Sequence, residues 1–408
     1  ARSLGLGGAF LGLADDATAA YANPAGLTQL IAPEVSLEVR SWAYTSLFVE
    51  SGHAFGEPSG LGIDVVEGLR EGAIGDSTEG LSFLSYAHVT ENWAIAIYRH
   101  ELARFRASLV SEGIFLGTGG FRTSPLRSRL GLEIVGFGAA GAWKVTEKLS
   151  VGFGAASYDF DLASMTKRFA VEPLTGDPDI DALRGNRYGP TDFAPKNVLQ
   201  TQAQEGHDND MGVHGGLLWR PSETWSVGAV YRDSPEFDFT GTFISGPASA
   251  EPGQIDTSVG GQGTFHVPDV WGMGVAWRVS DALILTLDWD HVDYSDLNKD
   301  GLNMIRVGRS DPENYIVDSG DELHLGFEYV TLGLRYPLAV RLGAWQDPDH
   351  QIRYVGERPI AQVRFQPGAD EIHFAGGIGL VIGRFQLDLA TDISERVDTF
   401  SLSTVVSL

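Results

Sequence analysis

The chain has 408 residues, 51 of them glycine and none cysteine, with 54 acidic against 29 basic side chains for a formal net charge of −25. That charge repels a phosphate backbone and excludes nucleic acid as the expected partner, while the missing cysteine excludes disulfides, thiolate zinc sites and a catalytic thiol. No run approaches the roughly 18 consecutive apolar residues of a membrane helix, but strands that meet lipid at every second residue need no such run.

In chain order, no charged segment followed by an apolar one opens the sequence at Ala1, which fits either a processed chain or one that never carried an export signal. Residues 1–33 do not alternate, and they are too small and glycine-rich for a lipid-facing strand. Gly5, Gly7 and Gly8 permit tight backbone packing, Asp15 and Asp16 suit a short helical turn, and Asn23-Pro24-Ala25-Gly26 suits a turn. Such a segment is expected to fill a lumen.

Beyond it, two-residue periodicity predicts fourteen strands, near 34–49, 79–89, 93–105, 130–145, 149–160, 211–220, 224–232, 263–279, 282–292, 321–334, 338–346, 370–382, 385–394 and 397–408. Trp271, Met273, Val275, Trp277 and Val279 oppose Gly272, Gly274, Ala276 and Arg278, and Leu283, Leu285, Leu287 and Trp289 oppose Ile284, Thr286, Asp288 and Asp290. Phe400, Leu402, Thr404, Val406 and Leu408 carry the alternation to the last residue. Connections alternate in length: short turns at Thr90-Glu91-Asn92, Thr146-Glu147-Lys148, Pro221-Ser222-Glu223, Ser280-Asp281, Arg335-Tyr336-Pro337 and Gly383-Arg384 are separated by long polar loops near 50–78, 106–129, 161–210, 233–262, 293–320 and 347–369. Short turns on one rim and long loops on the other describe an outer-membrane barrel.

Tryptophan placement agrees. Trp93, Trp143, Trp219, Trp225 and Trp277 sit beside short turns on the apolar parity of their strands, as expected of an interfacial girdle where an apolar ring keeps a wet N–H. A soluble barrel of this size would need bulky residues on its inward face, whereas the second face here is glycine, alanine, serine and charge. The fold expected is therefore all-β: a 14-stranded antiparallel transmembrane β-barrel over 34–408, with residues 1–33 as an N-terminal hatch in its lumen.

Leu4-Gly5-Leu6-Gly7-Gly8-Ala9-Phe10, followed by Ala14-Asp15-Asp16-Ala17-Thr18-Ala19-Ala20-Tyr21-Ala22-Asn23-Pro24-Ala25-Gly26-Leu27, closely resembles the N-terminal hatch of the FadL/TodX family of outer-membrane transport proteins. Asn23, Pro24, Ala25 and Gly26 match that family's hatch turn. The resemblance implies a monomeric barrel in the outer membrane of a Gram-negative-type bacterium. Its partners would be outer-membrane lipids and a hydrophobic small molecule or lipid, such as a long-chain fatty acid or hydrocarbon, caught at the outer side, gated by the hatch and released sideways through a gap at a kinked strand. Neither the pocket nor the gap has a sequence signature. An apolar path suits such cargo, since each CH2 exposed to water costs about 0.8 kcal/mol.

The same architecture admits a rival: a scaffold or shuttle barrel of the PorV type, gripping a secreted or surface protein through extracellular loops. Phe237, Phe239, Phe243 and Ile244, read as part of the 233–262 loop, serve either role.

Strand parity turns His214, Arg220, Arg278, Asp288, Asp290, His324, Glu328, Arg341, Glu371, His373 and Asp388 inward, where charges in large barrels ordinarily pair with each other or with a plug. Asp296, Asn298 and Asp300, ahead of Gly301, match the opening of a calcium loop, although its closing acid is replaced by Val307; calcium is the one cofactor this suggests. No hydrolase motif occurs, and His100-Glu101 lacks a zincin's second histidine. No enzyme activity is expected.

Overall fold

The computed structural model describes residues 1–50, 70–111, 113, 115–116, 121–122, 125–169, 193–245, 258–299, 311–331, 333–358, 361–362 and 365–408. The wall is a closed antiparallel barrel of fourteen strands. Six strands from the first half are β1 (Glu34–Glu50), β2 (Arg70–Val89), β3 (Trp93–Ser111), β4 (Leu126–Thr146), β5 (Leu149–Phe169) and β6 (Val198–Trp219). Next come β7 and β8, each in two segments, Trp225–Asp233 with Glu236–Ser245 and Ser258–His266 with Val270–Ser280. The remainder are β9 (Leu283–Val292), β10 (Gly320–Thr331), β11 (Leu338–Asp347), β12 (Glu371–Ile382), β13 (Phe385–Ile393) and β14 (Val397–Ser407). β14 closes on β1, with Val406 opposite Val35.

The alternation acts as expected. Ile97, Phe137 and Phe374 stand 63%, 56% and 67% exposed on the outer face, while Ala94, Ala96, Ala140 and Ala375 are buried on the inner one. Only lipid makes such an apolar exterior stable, since each side chain would otherwise face water. The five turn-proximal tryptophans all lie outside; Trp225 and Trp277 stack at 5.2 Å, and Trp93 pairs with Trp143 across the ladder. No helix among the described residues is long and apolar enough to cross a membrane.

The wall is uneven. β9–β14 have 9 to 12 residues, near the 9–11 that a tilted strand needs to span a bilayer. β1–β6 have 17 to 22 and continue above the apolar band. Their upper parts carry polar groups on both faces, such as the outward His207–Asp161 pair, so no alternation marks them. Residues 70–78, 106–111, 126–129, 161–169 and 198–210, expected as loop, are strand for that reason.

The 233–262 expectation needs the same correction. Residues 236–245 and 258–266 form a paired ladder, with Phe237 opposite Phe265. Phe237 and Phe239 are buried inside the barrel rather than offered on a loop, and Phe237 stacks on Phe160 at 4.7 Å. The two-segment form of β7 and β8 follows from Pro235 and Pro268, which bring no N–H to the ladder. The break is sealed locally: Ser234 N donates to Asp269 Oδ1 at 2.9 Å, Ser234 Oγ donates to the Pro268 carbonyl at 2.8 Å, and Val267 N donates to the Pro235 carbonyl at 3.1 Å.

Residues 1–33 lie within this wall as two short helices, α1 (Arg2–Gly5) and α2 (Ala19–Ala22), and a 3-10 turn at Pro24–Gln29. Leu6, Phe10, Ala14, Ala20 and Leu27 are almost wholly buried and form the lower core with the alanine-rich inner faces of β3 and β4.

Candidate functional site

The hatch is held by polar groups that the wall turns inward. Asp288 on β9 accepts from the backbone N–H groups of Phe10 at 2.5 Å and Leu11 at 2.6 Å. His324 on β10 meets the Gly7 carbonyl at 2.7 Å, and His214 on β6 meets the Ala20 carbonyl at 2.9 Å. Arg232 donates to the Ala22 carbonyl at 2.8 Å and Ser226 to that of Gly12 at 2.6 Å. Arg2 donates to both oxygens of Glu328, at 3.0 and 2.9 Å, and its other side holds Asp15. Glu328 in turn accepts from Arg341, which reaches Asp388 at 2.6 Å. Of the residues expected to point inward, His214, Asp288, His324 and Glu328 thus dock the plug and Arg341 and Asp388 stand behind Glu328, whereas Glu371 pairs with Arg396, His373 with Asp392, Asp290 lies by His324, and Arg220 and Arg278 line the turn-side mouth.

The Asn23-Pro24-Ala25-Gly26 turn is the most densely tied part. Asn23 Oδ1 accepts from Ala25 N at 3.2 Å and caps the 3-10 turn, which Pro24 starts without a lost donor. Its amide nitrogen donates to the Leu11 carbonyl at 2.9 Å and to the Leu217 carbonyl of β6 at 3.1 Å, so one side chain joins two stretches of hatch to the wall. Gly26 lies against the Ala14 carbonyl, where a Cβ would come within 2.1 Å. The wall makes matching room: a Cβ on Gly228 would lie 2.1 Å from the Leu11 carbonyl oxygen.

Above the hatch is a cavity of about 470 Å³, within the range that holds small ligands. Trp42, Tyr44, Leu102 and Phe105 line one side, with Tyr44 and Phe105 stacked at 4.6 Å; Asp347, His350, Glu371 and Arg396 line the other. Below, a space of about 660 Å³ at the turn-side mouth is lined by Lys148, Arg220 and Arg278 with Glu147 and Glu223. The hatch lies between them. A smaller cavity of about 130 Å³ runs beside it, bounded by Arg2, Thr18 and Tyr21 on the hatch and by Ser82, Phe83 and His100 on the wall.

That small cavity abuts a break in the barrel. β2 pairs with β3 only from Phe83–His100 down to Val89–Ala94. Above this, residues 70–81 pair with β1 alone, and Glu101 and residues 103–111 with β4 alone. A bulge between Glu101 and Ala103 re-aims β3 there. Side chains span the break in place of a ladder: Arg99 donates to the Leu81 carbonyl and Arg106 N donates to the Tyr44 hydroxyl at 2.8 Å, while at its edge, within β3, Glu101 is held by Arg104 at 2.7 Å. Phe83 and Tyr98 are buried at its inner edge, and Tyr21 of the hatch lies on the His100 ring at 3.9 Å. Two unpaired strand segments, an aromatic inner lining and a hatch side chain meet at one place.

A second interruption separates β6 from β7. Residues 206–212 pair with no β7 backbone, and Asp210 and Asp208 accept instead from the N–H groups of Glu236 at 2.9 Å and Asp238 at 2.7 Å. Carboxylates thus replace the ladder there.

Of the expected calcium residues, Asp296 pairs with Lys299 at 2.8 Å, Asn298 donates to the Tyr315 carbonyl at 2.5 Å, and Asp300 lies outside the described residues. The upper cavity and the β2–β3 break have no local signature: pairing between strands is not written in either strand, and Trp42 and Phe105 read as ordinary strand aromatics; Tyr21 lies within the hatch run, but nothing local gives its place at the break.

The family model described as outer membrane protein transport protein (OMPP1/FadL/TodX) matches residues 120–315. Among solved structures, a Pseudomonas aeruginosa FadL homologue aligns over 99% of this chain and 97% of its own, at 13% identity and a TM-score of 0.64. The P. putida toluene transporter TodX aligns over 96% and 94% at 13% identity and 0.56, and the Ralstonia pickettii toluene transporter TbuX over 99% and 96% at 16% identity and 0.53. At these identities the likeness is one of fold. No curated protein matches the chain by sequence.

Proposed function

We propose that the chain is a member of the FadL/TodX group of outer-membrane transport proteins, whose family model matches residues 120–315, and that it acts as a channel rather than an enzyme, passing small hydrophobic molecules, hydrocarbons or long-chain fatty acids, through the outer membrane without an energy source and under control of its hatch. The observation that carries this reading is the β2–β3 break, open in backbone terms and lined inside by Phe83 and Tyr98, beside a lumen whose axis is filled by residues 1–33. A polar solute would need a wet axial pore. An apolar one gains by leaving through the wall, because it never re-enters water.

In this reading the ligand first enters the upper cavity, its apolar part against Trp42, Tyr44, Leu102 and Phe105 and any polar end toward Arg104 and Arg396. Movement of the hatch around Tyr21 then joins that cavity to the space at Phe83 and His100. The solved toluene transporters of like fold favour a cargo of this class. The scaffold reading loses its main support, since Phe237 and Phe239 face inward.

The test is uptake by liposomes carrying the purified barrel, using labelled toluene and a labelled long-chain fatty acid, with a disaccharide as polar control. Wild type should take up at least one hydrophobic substrate and little disaccharide. The double variant Leu102→Arg, Phe105→Arg should lose most of that uptake while still folding as a heat-modifiable barrel. Equal uptake by the variant, or free passage of disaccharide by wild type, refutes the reading.

A further inference from the structure

Asp290 of β9 stands directly opposite Glu322 of β10, and His324 follows two residues along the same face of β10, so the three side chains converge in the lumen. His324 Nε2 lies 3.1 Å from Glu322 Oε2 and 3.6 Å from Asp290 Oδ2, and the three donor atoms are all within 4.8 Å of one another. Two carboxylates directly across a ladder repel. Among the described residues, neither has an arginine or lysine ion-pair partner; His324 is the cationic candidate in contact with both, while Arg232 faces Asp290 and His350 faces Glu322 from farther off.

The second atoms of two of these side chains are already committed. The Gly7 carbonyl can only accept, so His324 Nδ1 carries the proton that meets it at 2.7 Å, and Nε2 is the atom turned to the carboxylates. Glu322 Oε1 receives the Tyr294 hydroxyl at 2.5 Å, leaving Oε2 on the side of His324. Asp290 keeps Oδ2 toward His324, and its Oδ1 is buried without a hydrogen-bond partner. The imidazole is more than nine-tenths buried. A backbone carbonyl fixing the tautomer of a histidine, and a hydroxyl fixing one oxygen of a carboxylate, are the outer-shell contacts that orient metal ligands.

The geometry points to a binding site for a small divalent transition-metal ion, held by Asp290, Glu322 and His324 where the wall meets the hatch. One imidazole nitrogen with two carboxylate oxygens suits Zn²⁺ or Mn²⁺, whereas Ca²⁺ and Mg²⁺ favour all-oxygen sets. The ion neutralises the opposed carboxylates, and through the His324–Gly7 contact it braces the loop after α1. Tyr294 stacks at 4.3 Å on His350, a lining residue of the upper cavity, so the cluster adjoins solvent-filled space. This assignment is independent of the cargo the channel carries.

The test uses the full chain in detergent, stripped with a chelator and titrated with Zn²⁺ alone by calorimetry, with Co²⁺ absorption as a second readout. Wild type should bind one ion per barrel and give a Co²⁺ visible band. His324→Gln and Glu322→Gln should each weaken Zn²⁺ binding about ten-fold or more and alter or abolish the band. His291→Gln, whose ring meets Asp321 and Asp293 away from this cluster, should leave both unchanged. Should His324→Gln fail to show heat-modifiable migration, Asp290→Asn provides the same comparison. Absence of saturable one-to-one binding in wild type, or unchanged affinity in the folded ligand variants, overturns the site and leaves a charged imidazole as what holds the two carboxylates together.

Discussion

Asn23 concentrates the hatch's hydrogen bonding in one side chain. Replacing it with alanine strands the Leu11 and Leu217 carbonyls and the Ala25 N–H in a buried place, which costs about 1–3 kcal/mol for each such group that water cannot reach. Asn23→Ala should therefore expose residues 1–33 to added protease while the barrel itself stays folded. Gly228→Leu approaches the same contact from the wall, since any Cβ there collides with the Leu11 carbonyl; it should give the same protease sensitivity, and a hatch that stays protected in both variants would contradict this docking. Asp15 adds a pH dependence. Burial pushes its carboxyl above its ordinary value of 3.8, with the Arg2 guanidinium opposing. A raised value means that the docked hatch binds a proton more tightly than a released one, so Asp15 weakens docking near neutrality. That penalty fades as pH falls from the raised value toward 3.8. Protease protection should rise with acidification more in wild type than in Asp15→Asn, and equal slopes would show that another group titrates. The Asn-Pro-Ala-Gly turn was legible because it is local and carried by a distinctive run of residues. Its glycine partners on the wall were not, because a glycine on an inward strand face looks the same whether or not another backbone presses on it.

At the scale of the element, what could be read was what lipid dictates. β9–β14 matched closely because their whole length lies in the apolar band, where one face must be greasy and the other need not be. β2–β8 were read short, since above that band water meets both faces and parity carries no information, whereas β1, expected at 34–49, spans Glu34–Glu50. Pro268 lies inside the stretch 263–279 expected as one strand and Pro235 inside the loop expected at 233–262, and neither expectation foresaw the break, because whether a proline ends a strand or merely kinks it depends on what seals the gap, here Ser234 and Asp269. The β2–β3 break was invisible for a further reason: each strand keeps a full ladder on its other side, so neither needs an unusual sequence. The outward assignments have a depth that substitution can measure. Trp277, beside the turn rim and stacked on Trp225, should tolerate arginine at about 0–1 kcal/mol beyond the lost stacking, whereas Leu325, half-exposed at the middle of β10, should lose about 2–4 kcal/mol on the same change. Chemical unfolding of the two variants in lipid compares them directly, and equal costs would contradict this difference in depth.

For the whole molecule, one chain combines a wall that is apolar outside and interrupted at two places with an interior that its own first residues fill. The outer surface is apolar enough to require lipid, and the inner surface turns several of its charged groups to the segment that fills it. Asp288, His324, Glu328, Arg341 and Asp388 all belong to docking contacts or to the ion-pair chain behind them. Removing residues 1–26 would therefore do two things at once. It opens an axial path between the upper cavity and the turn-side mouth, and it leaves buried charges without partners, which then hydrate. Single-channel conductance in planar bilayers should rise well above that of the full chain and should favour cations, because the exposed acids at Asp288 and Glu328 join an already acidic molecule of net charge −25. Uptake of hydrophobic cargo should not rise in proportion, since a wet axis offers it no gain over the wall. If the shortened chain instead conducts no better than the full one, residues 1–26 are not what closes the lumen, and gating by the hatch would have to be abandoned while the membrane barrel itself stands.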